Sequence, residues 1–204
     1  FWSGRHAHRI PHLHNGIGLG AVSRKEPAVH GSRVDQNDPL MAFDGRARRV
    51  SHHRTSMATV VAMKVARDAA LDFRSREQGV DQSRLVAYTS AEAHACNARA
   101  FDILGLGSDA LRRIPVDAGF RMDTGALEEA IKADREAGLR PFAIIGTAGT
   151  VNTGAIDPLQ KLAAIASDER LWFHVDGAFA ASGQLSERLR DKLSGIERAN
   201  SLAF

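Results

Sequence analysis

Among its 204 residues the sequence holds one cysteine, Cys96. A single cysteine excludes an internal disulfide framework and agrees with a reducing compartment. No apolar run reaches membrane-spanning length and no signal peptide is recognisable, so the expectation is a soluble, cytoplasmic protein with no membrane partner. A strong excess of charge is also missing: 27 basic residues against 24 acidic ones give a net charge of +3. Without a basic stripe or a binding motif, that excess does not point to nucleic acid. No cysteine or acid cluster stands at metal-ligand spacing, and no metal is expected. Internal repeats and low-complexity segments are absent as well.

What is present is ordinary in bulk and uneven in placement. A composition of 44% hydrophobic and 25% charged residues is that of a globular protein. Of the 9 histidines, seven lie in residues 1–53: His6, His8, His12, His14, His30, His52 and His53. That segment is also rich in arginine and has no sustained period of 3.6 or 2, so it reads as an irregular region, distinct from residues 54–204. His6/His8 and His12/His14 are better read as solvated than as metal ligands. NGIGLG, Asn15 to Gly20, lacks the glycine spacing and the preceding strand of a dinucleotide loop.

From Thr55 onward the chain becomes regular. Met57 to Phe73 reads as a mostly buried helix with a polar stripe of Lys64, Asp68 and Asp72. Leu85 to Thr89 reads as a strand, and Ser90 as the cap of a helix running to about Leu104 and stopping at Gly105. Arg113 to Val116 suits a short edge strand because of Pro115. Asp123 or Thr124 opens a helix with Leu127, Ala130 and Ile131 inward, ended by Gly138. PFAIIGTAG, Pro141 to Gly149, is a continuous apolar run, as in a strand buried on both faces. Asp157-Pro158 reads as an N-cap followed by a first-turn proline, with Leu159, Leu162, Ala163 and Ile165 inward. LWFHV is the next strand, Ser186 to Leu193 a polar helix or turn, and Ser201 to Phe204 the beginning of a strand. Helices alternating with buried strands predict an α/β layer on a mostly parallel sheet flanked by helices.

In such sheets ligands gather beyond the carboxyl ends of the strands. Three segments would meet there: His94 in the first turn of the helix after LVAYT; Thr147, Thr150, Asn152 and Thr153 after FAII; and Asp176 after LWFHV. Each has an ordinary reading. An aspartate after a strand is commonly a turn residue, a lone histidine is commonly structural, and hydroxyls before a helix are commonly caps. Cys96 lies two residues from His94, a spacing that does not face it on a helix, so a buried structural thiol is expected.

Taken together, SAEAHACNARAFDILGLG, GTAGTVNTGAIDPL, LWFHVDGAFA and LSGIERANSLAF resemble the pyridoxal-phosphate-dependent amino-acid decarboxylases of the group containing the aromatic-amino-acid and glutamate enzymes. The resemblance covers roughly Thr55 to Phe204, and the order of several separated motifs carries it. It implies part of a fold-type I large domain, pyridoxal 5'-phosphate as cofactor, and carboxy-lyase action on an L-amino acid, aromatic ones favoured, in a homodimer. It implies that Asp176 pairs with the cofactor's ring nitrogen, His94 stacks on the ring, Ala178 packs on the opposite face, Thr150 lies near the ring and the substrate side, and Thr55 and Ser56 hold the phosphate. A carboxylate beside the ring nitrogen suits that chemistry, because a protonated ring draws electrons away from the breaking bond.

Two departures accompany the resemblance. The family's cofactor-bearing lysine follows the strand that SLAF begins, and none of Lys25, Lys64, Lys132, Lys161 and Lys192 matches it. The expectation is therefore a piece of a longer enzyme, inactive by itself. Relatives also carry a glycine-rich turn before the phosphate-holding pair, where this chain reads SHHR, Ser51 to Arg54. A shifted reading frame or a divergent segment over residues 1–53 would account for that. An aminotransferase, a C–C lyase, a desulfurase, or an inactive binding module are the competing readings.

Overall fold

The computed structural model describes residues 48–49, 55–80 and 84–204. The histidine-rich segment (its candidate metal pairs and NGIGLG included) and the SHHR turn otherwise lie outside the described residues. In chain order the elements are β1 (Arg48–Arg49), α1 (Thr55–Ala70), α2 (Ser75–Gln78), β2 (Leu85–Ser90), α3 (Cys96–Ile103), β3 (Leu111–Ile114), α4 (Thr124–Glu136), β4 (Arg140–Thr147), α5 (Leu159–Asp168), β5 (Trp172–Asp176), α6 (Glu187–Arg190) and β6 (Ser201–Ala203). Among the described residues the strands form one sheet in the order β1-β6-β5-β4-β2-β3. Every pair in it is parallel. The α/β expectation holds; β3 is an edge strand, but it spans Leu111–Ile114 and ends before Pro115, two residues earlier than expected.

Parallel pairing requires crossovers, and the helices that supply them cover both faces of the sheet. On one face Val86, Tyr88, Ile144, Phe173 and Val175 pack with Leu127 and Ile131 of α4 and Leu159 and Leu162 of α5. On the other, Leu85, Ala87, Ala143 and Ile145 pack with Ala62, Met63 and Ala66 of α1 and Phe101 of α3. The continuous apolar run of β4 is thus needed on both sides. The β2–β4 register shifts between Val86 and Ala87, whose partners are Pro141 and Ala143. Phe142 is the extra residue, and such a bulge is one of the few sheet positions that tolerate a proline neighbour without an amide proton.

Several boundaries differ from the sequence expectation. Helix α1 ends at Ala70, and the left-handed φ of 52° at Asp72 and 61° at Phe73 turns the chain out of it. Of its polar stripe, Lys64 and Asp72 are exposed, but Asp68 is not. Asp68 is buried and accepts from Arg67 Nε and Nη2, Ser75 Oγ and Lys64 Nζ, while Arg67 Nη1 reaches the Leu104 carbonyl. Burial raises the Asp68 carboxyl, but hydrogen bonds from Lys64, Arg67 and Ser75 outweigh it and hold the group below its ordinary range. The helix expected from Ser90 begins only at Cys96. Ser90 remains in β2, and its hydroxyl accepts from the Glu92 amide in a tight turn. Asp123 does cap α4, accepting from the Gly125 and Ala126 amides. Asp157 does not cap α5, which begins at Leu159 with Pro158 at the cap.

Candidate functional site

Because β2, β4 and β5 run parallel, their carboxyl ends share one edge, and the loops that leave them converge. Asp176 is the last residue of β5 and is 5% exposed. Its main-chain carbonyl accepts from Ala148 N at 2.8 Å, tying the end of β5 to the loop after β4. The next residue has to be glycine: a Cβ on Gly177 would stand 2.6 Å from Ala181 Cβ and 2.9 Å from Leu202 Cδ1. The smallness of this position therefore serves packing against β6. Gly149, at φ 89°, is equally constrained, with Ala180 Cβ and Phe179 Cδ1 each 2.9 Å from where its Cβ would lie. These two close approaches press the Thr150 loop onto the turn after Asp176.

The Asp176 carboxylate accepts from Ala178 N at Oδ1, 3.3 Å, and from Cys96 Sγ at Oδ2, 3.8 Å. No lysine or arginine pairs with it among the described residues. Burial pushes its carboxyl upward, while the Ala178 amide, the nearby His94 and the Cys96 thiol pull against that. A buried carboxylate without a cationic partner is expensive, so this position fits a cationic ring nitrogen.

His94 is exposed, in the turn before α3 and not in its first turn. Its Nδ1 accepts from the Cys96 amide at 3.2 Å, which leaves the ring proton on Nε2. The side chain thus holds the first amide of α3. Ala178 is exposed. Thr150 is buried, its hydroxyl 2.5 Å from that of Thr153 and 3.2 Å from the Ala155 amide, so it closes its own loop; Asn152 is exposed. Thr55 and Ser56 form the first turn of α1, with Thr55 partly buried and Ser56 exposed.

Four residues acquire roles in the structure beyond those the sequence suggested. Cys96 is buried as expected, yet it touches Asp176. Thr147, in register with Asp176 and therefore on the same sheet face, has a buried hydroxyl with no hydrogen-bond partner among the described residues. The same holds for Asn97 Nδ2. Asp157 uses both carboxylate oxygens on main-chain amides, Met122 N at 2.7 Å and Thr147 N at 2.8 Å, and so fixes the end of β4. Its carboxyl is raised by burial, against which the two amides act. Only the buried-strand pattern around Thr147 hinted at these roles. Among the described residues no group of three or more metal-binding side chains occurs, and no helix is long and apolar enough to cross a membrane.

The parallel sheet with helices on both faces is that of a fold-type I α/β large domain. The chain belongs to the pyridoxal-dependent decarboxylase family: the family's conserved domain matches residues 38–204. The family's cofactor is pyridoxal phosphate. An aromatic-L-amino-acid decarboxylase of Bacillus atrophaeus is 40% identical over 165 residues, 81% of this chain and 33% of the relative. A tryptophan decarboxylase of Camptotheca acuminata is 38% identical over 165 residues, 79% of this chain and 32% of the relative. Among solved structures, mouse CSAD superposes with a TM-score of 0.72 at 34% identity, covering 75% of this chain and 33% of that one. Oryza sativa TDC with pyridoxal phosphate and tryptamine gives 0.66 at 36% identity, covering 72% and 30%. The chain spans about a third of the length of the curated relatives it matches.

Proposed function

We propose that the protein containing this chain is a pyridoxal-phosphate-dependent carboxy-lyase that converts an L-amino acid, an aromatic one by preference, to its amine and CO2. The observation that carries the reading is the buried Asp176 carboxylate, held by two weak donors and without a lysine or arginine partner among the described residues. The orphaned hydroxyl of Thr147 beside it supports a polar guest at this edge. When bound, the cofactor supplies an electron-withdrawing ring that accepts the electron pair left as CO2 departs. Asp176 keeps a proton on the ring nitrogen. His94 would cover one face of the ring and help exclude water, Ala178 would lie against the other, and Thr150 would shape the wall on the substrate side. Thr55 and Ser56, at the amino end of α1, hold the phosphate with free amides and a hydroxyl.

The preference for aromatic substrates rests on relatives named as aromatic-L-amino-acid and tryptophan decarboxylases. A homodimer is part of the same proposal. The test is CO2 release from L-tryptophan, L-DOPA and L-glutamate by the protein expressed from its full gene, with keto-acid formation measured in parallel. The expected result is cofactor-dependent CO2 from the aromatic substrates and no keto acid. Keto acid as the main product, or no turnover of any amino acid, overturns the reading.

A further inference from the structure

The mechanism above leaves the one cysteine of the chain unused, although it is the side chain that touches Asp176. We propose that Cys96 is a positioning residue: its thiol donates to Oδ2 of Asp176 and sets the plane of the carboxylate that meets the ring nitrogen. The second half of that statement rests on the cofactor reading; the thiol–carboxylate contact does not.

Cys96 Sγ lies 3.8 Å from Asp176 Oδ2 and also 3.8 Å from Asn97 Oδ1. A thiol has one proton, and an ionised carboxylate is the stronger acceptor, so the proton goes to Asp176. Ala178 N donates to the other oxygen. Each carboxylate oxygen therefore has one donor, the first from the start of α3 and the second from the turn after β5. Two anchors on different elements prevent rotation of the carboxyl group and leave the remaining lone pairs for a guest.

The choice of sulfur has a physical reason. A lysine or arginine here would neutralise Asp176 and compete with the ring nitrogen. A thiol orients the carboxylate without cancelling its charge, and it tolerates burial at 5% exposure as a small apolar group would. Burial first, and the Asp176 charge second, push the thiol up to about 11, with the Ser56 hydroxyl acting in the opposite direction. The group is thus protonated at neutral pH, which makes it a donor and not a nucleophile. The partnerless polar atoms of Asn97 and Thr147 lie beside the pair, at residues 1% and 4% exposed, and mark the same spot as built for a polar guest.

The test needs no turnover. In the full chain, the Asp176 carboxyl is titrated by carbon-13 NMR of the aspartate side chains and assigned with Asp176→Asn. Cys96→Ala is expected to raise its midpoint by about half a pH unit or more, the scale of one lost hydrogen bond. Cys96→Ser, which keeps a donor, is expected to restore most of that change. Because Cys96 is the one cysteine, alkylation by iodoacetamide at pH 8.5 reads the reverse effect. Asp176→Asn removes a neighbouring negative charge and is expected to speed it at least about threefold. An unmoved Asp176 midpoint in Cys96→Ala, equal midpoints in the alanine and serine variants, or an unchanged alkylation rate overturns the proposal. Failure of the chain to bind added pyridoxal phosphate would count against the cofactor reading and leave these titrations unaffected.

Discussion

At the scale of single residues, Asp176 sets stability against function. Its folded-state carboxyl is raised above the ordinary 3.8, chiefly by burial. The folded chain therefore gives up that proton less readily than the unfolded chain. The associated stability is fully present below pH 3.8 and is lost as pH rises through the folded midpoint. At pH 7.5 the charged side chain is a net burden on the cofactor-free protein. Asp176→Asn is expected to melt at or above the wild-type temperature without cofactor at pH 7.5, the difference shrinking towards pH 4. If the proposed decarboxylase activity is present in the full-length protein, the same change is expected to lower it by about two to three orders of magnitude, the scale for removing a preorganised electrostatic group. Calorimetry with and without added cofactor checks the first part. A melting point several degrees below wild type in the cofactor-free state would show that Asp176 serves the fold.

Elements are joined by side chains whose partners lie far along the chain, and Asp157 is the clearest case. It is 2% exposed and holds the amides of Met122 and Thr147, the first 35 residues away. Asp157→Ala leaves two buried donors unsatisfied, at about 1–3 kcal/mol each. The expected loss in urea unfolding is about 2–5 kcal/mol, with Asp157→Asn milder because one carbonyl oxygen remains. A loss below about 1 kcal/mol would mean that water or backbone relaxation satisfies those amides. The same residue marks how far the sequence could be read. Asp123 was legible as a cap because its partners are two and three residues on. Asp157 carried the same local signal, but tertiary amides took its carboxylate. Ser90 likewise had the chemistry of a cap, and pairing with Ile114 of β3 kept it in the strand. The positions of His94, Thr150 and Asp176 at strand ends were legible from periodicity. The contact of Cys96 with Asp176 was not, since it depends on how the turn before α3 folds over β5.

For the whole molecule, the alternation of helices and strands announced a parallel sheet, but the order β1-β6-β5-β4-β2-β3 depends on crossovers that no local pattern encodes. That order places β6 against β5 and encloses His174 completely. Its Nδ1 lies 2.8 Å from Ser201 Oγ, which also accepts from Trp172 Nε1, and its Nε2 has no partner among the described residues. Burial depresses this imidazole from 6.5 to about 4, against a smaller upward effect of Ser201. Between those values the unfolded chain takes up a proton that the folded chain refuses. Stability is thus fully present above pH 6.5 and drains as pH falls towards 4, by about 3 kcal/mol in all. Asp68, whose carboxyl is depressed, adds its own loss only below 3.8. The raised carboxyls of Asp157 and Asp176 act with the opposite sign as acidification proceeds. Comparison with a non-titrating variant separates the histidine from these. Urea unfolding of wild type and His174→Asn at pH 7 and pH 4.5 is expected to show a steeper loss in the wild type, by about 2–3 kcal/mol. Parallel losses in the two proteins would mean that His174 is protonated in place, and that the interior between β5 and β6 is wetter than its packing implies.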